Sequence, residues 1–190
     1  MPWDVNRPWA KSIKRVRLAE YLGKQHGKYG LSTRDKVFAK CSKADDATCA
    51  VFDPIIAANR HCGYEVVHRS ATFCFEPAGD SPYHKGFYDS MLAGCIPVIF
   101  GVHNERVSPW FVPKGVAVRM SESAYLNGTF KVLDVLRAIS PADVSRRQKN
   151  LHKHGHRLQY AVDDSKPDAV EALFVGALGL AHDLEALYSE

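Results

Sequence analysis

A layered α/β fold, with a parallel sheet of about four strands covered by helices, is what the sequence predicts, and three observations carry the prediction. Residues 71–75 (Ala-Thr-Phe-Cys-Phe) and 96–100 (Ile-Pro-Val-Ile-Phe) are compact apolar runs free of charge, as strands buried on both faces are. Between them lies a helical stretch, residues 82–93, opened by Pro82, whose missing N–H costs nothing at a first helical position, and closed by Gly94. Strand, helix and strand at this spacing form a β-α-β unit, which must be parallel with a right-handed crossover. The last third of the chain has helical spacing throughout, and helices on a parallel sheet give an α/β layer architecture.

Composition agrees. A chain of 190 residues with 46% hydrophobic and 24% charged residues is neither disordered nor fibrous, and its length suits one domain over residues 1–190. The 25 Lys and Arg against 21 Asp and Glu leave a formal charge of +4. That is too mild and too interspersed to argue by itself for a nucleic-acid binder, and it leaves a weakly anionic ligand open. No apolar stretch reaches the ~18 residues a membrane span needs, because residues 90–102 are broken by Gly94, Pro97 and Gly101. Asp4 and Arg7 stand where a secretory signal would have its apolar region, so residues 1–10 are expected to be irregular.

Taken in order, Ile13, Val16, Leu18 and Leu22 among Lys and Arg predict a basic amphipathic helix over residues 11–28, closed by Gly27 and Gly30. Residues 35–40 read as a short strand and 43–48 as a polar loop, with Cys41, Cys49 and Cys62 in a poorly periodic stretch. Residues 63–70 suggest a helical turn or two before the strand at 71–75. After a turn at Ala78-Gly79, Ser81 or Asp80 caps the helix at 82–93, and strands follow at 96–100 and 115–119. Helices are expected at residues 130–139, at 141–158 behind Ser140, and at 167–188 behind Ser165 or Asp163.

In an open α/β sheet, ligands bind outside the carboxyl ends of the strands, which here means residues 76–81. A helix N-terminus offers unpaired N–H groups and about half a positive charge, so a phosphate placed there is stabilised. Gly79 permits close approach of backbone to an anion. Asp80 and Ser81 supply polar contacts or simply cap the helix, and His84 and Lys85 add donors and positive charge. Asp89, four residues after Lys85 on the same helical face, is able to accept hydrogen bonds from a ribose. A generic helix start with a routine surface pair explains the same residues, and spacing alone leaves both readings open.

These residues also carry a family resemblance. The run from Ser70-Ala71-Thr72-Phe73-Cys74-Phe75-Glu76-Pro77-Ala78-Gly79-Asp80-Ser81 to Phe87-Tyr88-Asp89-Ser90-Met91-Leu92-Ala93-Gly94-Cys95-Ile96-Pro97-Val98-Ile99-Phe100 resembles the C-terminal donor-binding half of the exostosin-like glycosyltransferases (glycosyltransferase family 47), above all plant and algal members. Looser similarity runs from about residue 11, through the three cysteines, to the final helix.

The resemblance implies a Rossmann-like three-layer α/β/α fold corresponding to one half of a GT-B enzyme. It implies inverting transfer of a sugar such as galactose from a uridine-diphosphate (UDP) sugar to a glycan or polysaccharide acceptor, with no cofactor and no required metal. By position, Gly79, Asp80 and Ser81 would line the diphosphate and Asp89 matches the acidic residue near the ribose. Plant members usually have two arginines where this chain has His84 and Lys85. Arginine is a permanent bidentate phosphate clamp, whereas lysine is a point charge and histidine is mostly neutral at pH 7. That departure raises the alternative of a catalytically inactive nucleotide- or glycan-binding module. The family's membrane anchor and its N-terminal half, expected to hold the acceptor site and the catalytic base, do not fit in 190 residues. The chain is therefore expected to be a fragment or a truncated paralogue, with no catalytic residue assigned. The implied location is the lumenal side of the Golgi membrane; a cytosolic Rossmann-like protein is the rival that fits the absent signal.

Cys74 and Cys95 are expected to be buried small hydrophobes. Family members also have cysteines near Cys41, Cys49 and Cys62, which implies a disulfide among these three in an oxidising lumen, with the pairing open. Zinc is not expected, because no C-x₂-C pair exists. His152, His154 and His156 sit among Arg146, Arg147, Lys149, Lys153 and Arg157 and read as a solvated basic face rather than a metal site, though 152 and 156 would share a helical face. Asn127-Gly128-Thr129 is an N-glycosylation sequon. Trp110 and Phe111 read as loop anchors or as a stacking surface for a sugar or base.

Overall fold

The computed structural model of the protein describes residues 14–24, 33–55, 63–78, 84–101, 112, 115–161 and 167–188. Its centre is a parallel sheet of five strands, β1 (Arg17–Leu22), β2 (Cys49–Phe52), β3 (Ala71–Phe75), β4 (Ile96–Phe100) and β5 (Val118–Met120), in the order β2-β1-β3-β4-β5. Helices cover both of its sides, giving the Rossmann-like α/β fold that the sequence predicts. The helices are α1 (Thr33–Ser42), α2 (Gly63–Ser70), α3 (Lys85–Leu92), α4 (Glu122–Leu126), α5 (Val132–Ala138), α6 (Pro141–His154) and α7 (Ala169–Tyr188). A 3-10 turn, Gly155–Leu158, extends α6.

The unit β3-α3-β4 forms as expected. Both strands match the expected bounds, they pair in parallel with Phe73 opposite Ile96 and Phe75 opposite Val98, and every residue of β4 is buried. Gly94 ends α3 at φ 67°, a left-handed conformation open to glycine at little cost. The core continues through Phe87, Met91, Ile99, Leu133, Leu136 and Leu151. Ser140 caps α6 by accepting from the Asp143 amide, as the sequence predicts.

Elsewhere tertiary partners overrule local pattern. The expected basic helix over residues 11–28 contains instead the strand β1, second in the sheet between β2 and β3. Charged residues of this stretch have distant partners. Arg17 pairs with Asp46 and lies over the Phe52 ring, and buried Glu20 meets His68. The strand expected at 35–40 is part of α1, because Thr33, Val37 and Cys41 at four-residue spacing bury one helical face. Instead of beginning at 115, the fifth strand is confined to Val118–Met120. The carbonyls of Gly115 (φ 76°) and Ala117 accept from the Arg147 guanidinium rather than from a ladder. Strand β2 and helix α4, which are short, had no sequence signal strong enough to predict them.

Helix α7 begins at Ala169, and its cap is Asp168, whose carboxylate accepts from the Val170 and Glu171 amides. The expected caps Ser165 and Asp163 lie outside the described residues, as do residues 1–10, Cys62, Trp110 and Phe111. Cys74 and Cys95 are buried as expected, but they are joined to each other in a disulfide. Cys41 and Cys49 form a second one. Among the described residues no helix is long and apolar enough to cross a membrane.

Candidate functional site

The chain leaves β1 in one direction, to β2, and later leaves β3 in the other, to β4 and β5. In a sheet ordered this way the connections diverge between β1 and β3, and a crevice opens outside the carboxyl ends of those two strands. Tyr21 and Gly23 stand at the end of β1, and Glu76, Pro77 and Ala78 follow β3. Arg34, near the start of α1, crosses this divide by donating from Nε to the Ala78 carbonyl at 3.1 Å. Tyr21 Oη donates to the Lys24 carbonyl at 3.3 Å.

The anion cradle expected at Gly79, Asp80 and Ser81 lies outside the described residues, immediately after Ala78 and before His84. The helix after it starts later than the sequence predicts. His84, not Ser81 or Asp80, is its N-cap, with extended backbone and no side-chain cap bond, and Lys85 is its first residue. The His84 imidazole instead turns toward Glu76, with Nδ1 3.5 Å from Oε2. Gly86 makes room for this: a Cβ there would stand 3.3 Å from Glu76 Oε2 and 3.4 Å from His84 Nδ1.

Charges at the crevice differ from a count of residue types. Burial lowers the His84 pKa to about 4, with Arg34 and His68 adding repulsion, so His84 is neutral at pH 7 and contributes none of the expected positive charge. Its Nε2 is buried and has no hydrogen-bond partner among the described residues. Burial also raises the Glu76 carboxyl to about 8, against the pull of His68 and with Glu20 and Asp89 adding to the rise. Glu76 is therefore protonated at neutral pH and does not repel an anion. Positive charge comes from Arg34 and from Lys85, which pairs with Asp89 on the next turn of α3. Asp89 is buried and Lys85 exposed, so the carboxylate sits below the helix surface with its ammonium partner above.

Of the six residues singled out for the donor, the structure thus brings Lys85 and Asp89 together and sets His84 beside Glu76. Glu76 lies in the stretch 76–81 that the sequence points to, whereas Arg34 and Tyr21 carry no local signal, since their relation to it depends on the strand order. Asn127 is exposed at the end of α4. His152 and His156 do not share one α-helical face, because the α-helix α6 ends at His154 and His156 lies in the 3-10 turn after it. Burial, then Arg157 and Lys153, lower the His154 pKa.

A family model, the Exostosin GT47 domain, matches residues 8–127. The chain is 28% identical over 174 residues to the probable xyloglucan galactosyltransferase GT12 of Arabidopsis thaliana, covering 86% of this chain and 33% of that protein. It is 26% identical over 183 residues to the probable xyloglucan galactosyltransferase GT13 of the same plant, covering 90% and 38%. With the xyloglucan galactosyltransferase XLT2 it shares 31% identity over 115 residues, covering 58% and 22%. The chain thus spans about a third of the length of the first two of these relatives.

Proposed function

The chain belongs to the exostosin GT47 family, and from that premise we propose that it is the nucleotide-sugar-binding part of a glycosyltransferase that transfers a hexose such as galactose to a glycan. The donor is a UDP-sugar, and transfer is inverting, with no required metal and no cofactor. One observation carries the reading: the strand order sets the end of β3, inside the family-like run, at the divide where open α/β sheets bind ligands. Arg34 supplies there the permanent planar cation that His84 does not.

In this reading the backbone of Gly79, Asp80 and Ser81 receives the diphosphate. Arg34 and Lys85 complement its charge, the unpartnered Nε2 of His84 offers a neutral contact, and Asp89 accepts from the ribose hydroxyls. The neutral Glu76 holds His84 without adding negative charge beside a phosphate. A Golgi lumen suits the two disulfides, since such bonds persist in oxidising compartments, and they favour it over the cytosol.

Calorimetry on the intact chain tests the proposal. UDP is expected to bind, and Arg34→Ala and Lys85→Ala each to weaken binding several-fold while circular dichroism shows an unchanged fold. Asp89→Asn, which keeps the buried volume, is expected to weaken it as well. A folded wild-type chain with no binding heat, or equal affinity in all three variants, refutes the assignment.

A second reading, a nucleotide- or glycan-binding module without turnover, is favoured by the neutrality of His84, which leaves Lys85 as the one charged member of that pair. Adding the N-terminal half in trans separates the two. Recovered sugar transfer favours the enzyme, and binding without transfer favours the module.

A further inference from the structure

Successive side chains of a strand point to opposite faces, so Cys74 faces away from Phe73 and Phe75. On that second face Cys74 stands opposite Glu20 of β1 in the sheet register, and α2 lowers His68 onto both. His68 Nδ1 is 2.5 Å from Glu20 Oε1, Cys74 Sγ is 2.9 Å from the same oxygen, and Cys74 Sγ is 3.4 Å from His68 Nδ1. All three side chains are buried to within 1% of completely. Glu20 Oε2 and His68 Nε2 are buried without a hydrogen-bond partner among the described residues. Cys95, also fully buried, is bonded to Cys74 and so belongs to the same spot.

We propose that reduction of the Cys74–Cys95 disulfide converts this cluster into a buried site for a borderline-soft divalent cation of the zinc type, ligated by Cys74, Cys95, His68 and Glu20. Two thiolates, an imidazole and a carboxylate are a ligand set such ions take tetrahedrally. Bonds of about 2.0–2.3 Å put tetrahedral ligand atoms roughly 3.3–3.8 Å apart. The ligand atoms of Glu20, His68 and Cys74 all lie within 4.8 Å of one another, and Cys95, held beside Cys74 by the disulfide, is free after reduction to move apart to the same spacing.

With the disulfide intact neither sulfur is a thiolate, and the site is closed to metal. Two thiolates and a carboxylate around a divalent ion leave one excess negative charge. The Arg15 guanidinium, donating to the carbonyls of His68 and Ala93 at 3.0 and 2.8 Å, sits beside the cluster to balance it. No zinc-type spacing is visible in the sequence because Glu20, the His68–Cys74 stretch and Cys95 are far apart in the chain. None of them is assigned to the donor, so this site stands or falls independently of the proposed activity, and its metal takes no part in sugar transfer.

The step balances with a phosphine reductant. The S–S bond breaks, the phosphine is oxidised to its oxide with oxygen from water, and the two protons of that water go to the sulfurs of Cys74 and Cys95. The divalent ion then displaces both thiol protons to solvent.

The test uses the full chain, reduced in denaturant with a phosphine and refolded with one equivalent of Co²⁺ as a visible zinc substitute. The expected result is one bound cobalt with a thiolate-to-cobalt charge-transfer band, and about tenfold less binding by the oxidised chain. The band should persist in the triple variant Cys41→Ser, Cys49→Ser, Cys62→Ser. In Cys95→Ser and His68→Gln, cobalt should bind at least about tenfold more weakly. No thiolate band in the reduced wild type, a band equally strong in the oxidised chain, or a band lost with Cys41, Cys49 and Cys62 instead, overturns the proposal; the wild-type comparison stands even if a core variant fails to fold.

Discussion

Glu76→Gln isolates the cost of holding a carboxyl beneath the first turn of α3. Buried next to His68, Glu20, Asp89, His84 and the Tyr21 hydroxyl, Glu76 has its pKa raised from 4.5 to about 8. Between these two values the folded chain holds a proton that the unfolded chain has lost, so stability falls as pH rises through that window. The contribution is fully present below about pH 4.5 and gone above about pH 8. At 1.36 kcal/mol per pKa unit, the full window is worth about 5 kcal/mol, a large share of the ~5–15 kcal/mol that stabilises a folded domain.

Glutamine keeps the shape and cannot ionise. Urea unfolding at pH 5 and pH 8.5 should show the wild type losing several kcal/mol and the Gln variant losing much less. A residual slope of the same sign belongs to His68. Burial pulls its pKa down, but the charge and hydrogen bond of Glu20 outweigh burial and leave it raised. Its stabilisation is therefore also lost on the alkaline side. Identical pH dependence in the two proteins would refute the assignment of a protonated Glu76.

Leu136→Ala empties a core position that is 1% exposed and should lower stability by about 2–5 kcal/mol in chemical denaturation. Asp168→Ala removes the acceptor for the Ala161, Val170 and Glu171 amides, so hydrogen exchange should accelerate at those amides and stay unchanged in the middle of α6. Asn127 is exposed, so chain recovered from a secretory host should lose the mass of an N-glycan on endoglycosidase treatment, and Asn127→Gln should lack it.

Legibility in the sequence followed the range of the deciding interaction. The strands β3 and β4 and the end of α3 were readable to the residue or nearly so, because the strands are apolar on both faces and Gly94 marks the turn locally. The start of α3 was misplaced. Ser81 and Pro82 are good opening signals, yet the helix begins where the His84 backbone turns and its ring meets Glu76, a residue eight positions upstream.

By itself the sequence determined the α/β class, the family resemblance and the stretch of chain that holds the candidate site, because hydrophobic runs and helix punctuation act between near neighbours. Only the tertiary structure decided that residues 17–22 are an inner strand, that Arg34 reaches Ala78, that Cys74 is bonded to Cys95 and that His84 is neutral. Each of these depends on burial or on a partner distant in sequence, and desolvation and pairing energies outweigh the small local preferences that a linear reading detects.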